Sequence, residues 1–259
     1  MHILGYSWRG GSPSIKAFED GKVEFIQLMG MEMKWKIGKR KCIGYWNGKY
    51  VPCPTGETVR GTRCESCQKM DRFFYCIKCD GSKCLNPARR DECASEEYVI
   101  YITVFGKILK VGISQEFRKA TRWLEQGADF AAEVRYVKDG MLARRMESAI
   151  SRRLGIADRV RGNEKLAQLM ADPNESLSRL RSAIDILNGF GKPVVIHDLR
   201  DRYGMENVRG MPEPVHPAEG REIEGKVIAV KGNMMLYESP DGLKCMNLHR
   251  LAGREVWLI

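Results

Sequence analysis

The sequence predicts an α+β protein in three parts: a β-rich zinc-binding domain over 1–95, an α/β domain over 96–190, and a linker with a small SH3- or OB-like β barrel over 191–259. Three observations carry that prediction. Eight of the nine cysteines fall between positions 42 and 93. Apolar stripes of helical period are confined to the middle of the chain. Short alternating runs bounded by glycine or proline dominate both ends.

The first part reads as strands followed by a cysteine segment. "KVEFIQLMG" and "EMKWKIG" alternate and are broken at Gly30 and Gly38. "KWKIGKRKC" sets five Lys/Arg around Trp35. That strip is either a solvated strand face or a phosphate contact, with Lys39, Arg40 and Lys41 as the contacting residues. The cysteines are Cys42, Cys53, Cys64, Cys67, Cys76, Cys79, Cys84 and Cys93, and they include the knuckles "CESC" and "CIKC". Thiolates at this spacing converge on tetrahedral ions, so eight ligands fill one or two four-cysteine zinc sites. An iron–sulfur cluster is the alternative metal. A disulfide framework would need an oxidising compartment, which nothing in the sequence indicates. The segment has little apolar core, so metal would supply much of its folding energy. Phe73, Phe74 and Tyr75 lie between the knuckles and either stack bases or pack around the metal. Cys245 stands alone and reads as a small buried apolar residue.

The middle part begins with "YVIYITVFGKILKVGIS", two apolar runs either side of Gly106, which form a hairpin over 98–113. A helix follows near 115–126 and ends at Gly127. "AAEVRYV" is a third strand. "GMLARRMESAISRRLG" is a helix with Leu142, Met146, Ile150 and Leu154 in one stripe. A last helix takes Asp172 as N-cap and Pro173 in its first turn. It carries Leu177, Leu180, Ile184 and Leu187 and ends at Gly189 or Gly191.

Cleaving a phosphodiester requires a group that orients or deprotonates water, a cation on the phosphate oxygens, and a carboxylate to hold Mg²⁺. This part offers Tyr101, Lys110, Arg118 and Glu147, in the order hairpin, helix, strand, helix. That order resembles the GIY-YIG nuclease superfamily: "VIY" (99–101) resembles its first signature, and "KVG" (110–112) a variant of its second with lysine for tyrosine. The resemblance implies that Tyr101 helps to activate water, Arg118 holds the scissile phosphate with Arg122 assisting, and Glu147 ligates Mg²⁺. Val99 replaces the signature glycine and Lys110 the second tyrosine. Trp123 either stacks a base or packs its helix. Over nearly its whole length the chain also resembles a prokaryotic, largely archaeal domain-of-unknown-function family, DUF2797. "RKCIGYW", "CESC", "CIKCDGSKCLNP", "VFGKILKVGIS", "TRWLEQGAD" and "LAGREVWL" carry that resemblance, which implies the architecture and no activity.

After "MPEPVHPAEG" (211–220), a proline-rich linker, come four short β signals and a Pro240-Asp241-Gly242 turn. The four histidines are scattered and show no zinc-finger pairing.

The net charge is +10, of which residues 1–95 carry +7, residues 96–190 carry +3 and residues 191–259 none. A basic front half suits phosphate-rich partners. Four thiolates and a zinc ion carry about −2 together, which tempers that excess. The longest nearly uncharged apolar stretch is nine residues, at 98–106, against about 20 for a membrane span. With no secretory leader pattern at the start, the expected location is cytoplasmic and no membrane partner is expected.

The functional expectation is a zinc-containing nucleic-acid-binding protein, DNA or RNA, with a Mg²⁺-dependent phosphodiesterase site. The rivals are a non-catalytic RNA- or ribosome-binding module with a decayed nuclease fold, and a zinc-stapled protein-interaction scaffold.

Overall fold

Strand pairing joins the two ends of the chain. The computed structural model describes residues 1–156, 162–187 and 194–259. Its strands are β1 (His2–Arg9), β2 (Ser12–Glu19), β3 (Lys22–Gln27), β4 (Glu32–Arg40), β5 (Tyr45–Asn47), β6 (Lys49–Val51), β7 (Glu97–Phe105), β8 (Ile108–Gln115), β9 (Phe130–Lys138), β10 (Ile196–Asp198), β11 (Glu213–Val215), β12 (Glu222–Lys231), β13 (Met234–Ser239), β14 (Gly242–Asn247) and β15 (Arg254–Leu258). Its helices are α1 (Glu65–Met70), α2 (Phe74–Lys78), α3 (Arg90–Ser95), α4 (Lys119–Gln126), α5 (Gly140–Leu154), α6 (Gly162–Ala167) and α7 (Pro173–Leu187).

Nine strands form one sheet in the order β11-β14-β13-β12-β4-β15-β1-β2-β3. The expected separate C-terminal barrel is therefore corrected: its strands belong to the same open sheet as the N-terminal hairpins. The reason lies in β4. Its inward residues Met33, Trp35 and Ile37 are buried. Their cross-strand neighbours come from the end of the chain, Ile223 opposite Trp35 and Val256 opposite Ile37. On the other face Lys34 pairs with Glu224 and Lys36 with Glu222, so this part of the basic strip is a solvated face. At Gly38 the strand continues but its ladder with β15 shifts by one residue, and the Trp257 indole lies where a side chain would stand.

The chain divides into two compact units, residues 1–74 with 203–259, and residues 75–202. These are not the three segments expected from composition, because that reading could not see β4 pairing with strands about 190 residues away.

The second unit is built on an antiparallel sheet ordered β10-β9-β7-β8. The hairpin, helix, strand and helix appear in the expected order, and α4 and α5 end at left-handed Gly127 and Gly155. Alternation along β7 divides its side chains between two cores. Ile100, Ile102 and Val104 face Leu180, Ile184 and Leu187 of α7, with Met146, Ile150 and Leu154 of α5 packed beside them. Val99 and Tyr101 face Trp123 of α4, with Ala128 and Ala131. Leu142, expected in the α5 stripe, is largely exposed. The α7 helix starts as expected, with the Asp172 carboxylate accepting from the Asn174 amide at 2.9 Å. Gly189 and Gly191 lie outside the described residues. Among the described residues no helix is long and apolar enough to cross a membrane.

Candidate functional site

Four cysteines of the first unit converge. The Sγ atoms of Cys42, Cys53, Cys64 and Cys67 all lie within 4.8 Å of one another. Cys64 Sγ is 3.6 Å from Cys42 Sγ and 4.0 Å from Cys53 Sγ. A tetrahedron of thiolates at the usual zinc–sulfur distance has an edge of about 3.8 Å, so the donor set fits zinc. The cradle comes from three segments: Cys42 follows β4, Cys53 follows β6, and Cys64 and Cys67 lie at the start of α1. Asp71 locks them: its carboxylate accepts from the Trp46 and Phe73 amides at 3.2 and 3.0 Å and pairs with Arg63 at 3.0 Å. Burial and the crowded thiols push Cys42 and Cys67 up. Cys53 is moved the other way. Its partial burial is outweighed by hydrogen bonds from Thr55 and Glu57, which bring it down to about 6.

The other four cysteines lie in the second unit and are not gathered in this way. Among the described residues no second set of three or more ligand atoms draws together. Instead, Cys76 accepts from Asn86 at 3.3 Å, and Tyr98 donates to Cys93 at 3.7 Å. Phe73 and Tyr75 are both partly exposed, at 38% and 40%.

On the hairpin, Tyr101 stands opposite Gly112. Its ring is edge-on to Trp123, with centroids 5.9 Å apart, and Gln126 donates to its hydroxyl at 3.0 Å. Tyr101 is 0% exposed. Burial pushes its phenol up to about 12, while Arg122 and Gln126 pull it down and Glu147 adds to the rise. Lys110 projects from the same face. Burial, then Arg122, hold its ammonium below the ordinary lysine value, with Arg144 adding to them and Glu147 opposing. Arg144 pairs with Glu147 at 3.2 Å and Arg122 with Glu125 at 3.0 Å. Lys110, Arg122, Arg144 and Glu147 therefore share one electrostatic neighbourhood beside Tyr101.

That neighbourhood changes three residue assignments. Arg122 and Arg118 are both about half-exposed and both reach Glu125, at 3.0 and 3.6 Å, and Arg122 is the one whose charge also bears on Tyr101 and Lys110. The Trp123 ring is 2% exposed, so it packs its helix and offers no face to a base. Glu147 is engaged by Arg144 at 3.2 Å, and no group of three or more acidic, histidine or cysteine ligand atoms includes it among the described residues.

The sequence matches the family described as "Protein of unknown function (DUF2797)" over residues 30–256. The chain belongs to that family. No curated protein and no solved structure matches it. The DUF2797 match spans the four-cysteine centre and the Tyr101 face, and includes several groups the sequence did not single out.

Gln126 is one of these, one helical turn from Arg122, whereas Arg144 meets Glu147 as the helical spacing of the two residues allows. Another is a cluster around Glu133. That carboxylate takes Lys119 at 2.9 Å, His197 Nε2 at 3.1 Å and the Tyr136 hydroxyl. His197 in turn lies 5.0 Å from the Trp123 ring. Only the β10–β9 pairing brings His197 to Glu133, so no sequence signal marked it. Of the predicted basic strip, Lys39 is exposed and Lys41 is paired with Glu255 at 2.7 Å. Burial, with the charges of Arg254 and Arg250, holds Arg40 below the ordinary arginine value.

Proposed function

We propose that the chain is a zinc-stabilised protein that binds the phosphate backbone of nucleic acid, and that it holds the backbone without cutting it. One observation supports this reading: Lys110, Arg122 and Arg144 bear on one neighbourhood beside Tyr101, where Arg144 is paired with Glu147 and Arg122 with Glu125, three cations against two carboxylates. The group has an excess of cations, so it attracts an anion, and a phosphodiester fits two guanidiniums and an ammonium. Each phosphate neutralised releases counterions, which gives affinity and a steep dependence on salt.

Holding is favoured over cutting by two features of the residues that would do the chemistry. Tyr101 is sealed from solvent and stays a neutral phenol near neutral pH, so it does not take a proton from water. Glu147 is spent on Arg144. The hairpin–helix–strand–helix order that resembles GIY-YIG nucleases then serves as a recognition scaffold. A second reading, Mg²⁺-dependent hydrolysis, draws on Lys110, which stands on the Tyr101 face and would stabilise negative charge developing on a phosphate.

The test is a gel-shift and cleavage panel on labelled single- and double-stranded DNA and RNA, with Mg²⁺, Mn²⁺ or EDTA, comparing wild type with Glu147→Gln. The expected result is salt-sensitive binding that Glu147→Gln retains, and no cutting. Metal-dependent cutting lost in Glu147→Gln would install the hydrolytic reading instead. No binding at low salt would sink both.

A further inference from the structure

Three arginines of the first unit meet without a counter-anion. Arg40 ends β4, Arg254 begins β15, and the two stand directly opposite in the antiparallel ladder. Like charges facing one another across a ladder are destabilising. The third, Arg250, closes the short turn Leu248–Arg250 that precedes β15. Its carbonyl accepts from Arg40 Nη2 at 2.6 Å, and its own Nη1 donates to His216 Nδ1 at 2.8 Å. The neighbouring acid, Glu255, is taken by Lys41 at 2.7 Å. Among the described residues none of the three arginines has a carboxylate partner.

Two further details show that the cluster is built and incomplete. The Nε–H groups of Arg40 and Arg254 are buried and reach no acceptor. A buried donor without a partner carries its whole desolvation cost, so an acceptor at this place is worth more than an ordinary contact. Gly253, at φ +84°, leaves the stem of Arg40 its path: a Cβ there would stand 2.9 Å from Arg40 Cγ and 2.8 Å from the Lys41 carbonyl. Arg40 also donates to the Arg60 carbonyl at 3.3 Å and Arg254 to the Gly38 carbonyl at 3.1 Å, and these contacts leave both Nε donors unmet. Three guanidiniums with two orphan donors call for an anion with several oxygens, and the guanidinium fork matches phosphate geometry.

We propose that Arg40, Arg250 and Arg254 form a phosphate-binding site, and that the phosphate it takes belongs to a nucleic-acid backbone. The second half of that statement rests on the binding function proposed above. The first half stands on the arginines alone.

The experiment uses full-length, zinc-loaded wild type, Arg250→Ala, Arg250→Lys and Lys110→Ala. Arg250 is exposed, so its side chain can be removed with the carbonyl contact to Arg40 intact. Inorganic phosphate is titrated with detection by phosphorus NMR, and a labelled oligonucleotide is titrated by anisotropy over a salt series. Wild type should bind phosphate, Arg250→Ala should lose it, and Arg250→Lys should keep part of it. Oligonucleotide affinity in Arg250→Ala should fall on the order of tenfold regardless of sequence, with a salt slope lower by about one. If Arg250→Ala matches wild type on both probes while Lys110→Ala weakens oligonucleotide binding, the site is refuted and the binding function stands. If phosphate binding is lost in Arg250→Ala but wild type binds no oligonucleotide, the phosphate site stands and its nucleic-acid ligand is overturned. Absence of phosphate and oligonucleotide binding in wild type overturns the whole proposal.

Discussion

The Tyr101 ring fills the space that a side chain at Gly112 would occupy. A Cβ at that position would stand 2.6 Å from the phenol Cζ and Oη. Trp123 and Gln126 fix the ring from the other side, so it has nowhere to go. Gly112→Ala should therefore destabilise the second unit by about 1–3 kcal/mol, the usual cost of overpacking. Urea unfolding would show it. In a Tyr101→Leu background the same substitution should cost clearly less, and an equal cost in both backgrounds would mean that the ring is not the obstacle.

Arg122 and Arg118 should part company on mutation. Both are about half-exposed and both meet Glu125, but Arg122 also bears on Tyr101 and Lys110. Arg122→Ala should weaken nucleic-acid binding by about 1.5–3 kcal/mol, the range for a charged hydrogen bond. Arg118→Ala should change it by less than about 0.5 kcal/mol. Anisotropy titrations at one fixed salt concentration compare them, and the reverse ranking would return Arg118 to the site.

Cobalt substitution reports on the cysteine centre. Cys42, Cys53, Cys64 and Cys67 should give Co²⁺ the visible spectrum of a tetrahedral thiolate site. Cys67→Ser should lose one metal equivalent by elemental analysis and lower the melting temperature of the zinc-loaded protein. Chelation should do the same to wild type, since the metal's binding energy is part of the folding energy. A Cys67→Ser protein with an unchanged metal content would remove this centre.

Acid stability should depend on Asp139, whose carboxylate forks onto Arg90 at 2.9 and 2.5 Å and caps α5 through the Met141 amide at 2.8 Å. The Arg90 hydrogen bonds hold its carboxyl below the ordinary aspartate range. A carboxyl depressed in the folded state stabilises above its unfolded pKa, and that contribution disappears as pH falls through the folded value. The stability gap between wild type and Asp139→Asn should thus be full at neutral pH and shrink only below the unfolded-state aspartate pKa of about 3.9. Unfolding midpoints measured down a pH series would reveal the closing gap. A gap that stays constant into strong acid would take the charge out of the argument.

Local chemistry was readable in the sequence, and long-range pairing was not. The helix from Pro173, the glycine ends of α4 and α5 and the hairpin either side of Gly106 follow from caps, period and turn residues, which act over a few positions. Within the cysteine segment, spacing announced a metal site but not its membership. The first four cysteines share one centre, and the second knuckle lies in the other unit. Arg40 was legible as part of a basic run. Its partners Arg250 and Arg254 lie more than 200 positions away and meet it only because β15 pairs with β4. The β signals of the C-terminal region were individually right, yet they suggested a small barrel, because alternation says which face is buried and nothing about which strand lies alongside.

The place of β4 sets a schedule. Both of its ladder neighbours, β12 and β15, are made after residue 221. During synthesis the hairpins of β1 to β3 and the whole second unit can form while β4 waits with two bare edges and with Met33, Trp35 and Ile37 in water. An unpaired strand of that kind is a template for association between nascent chains. Lys34, Lys36 and Lys39 put positive charge on that strand, the feature by which exposed strands resist pairing with their copies.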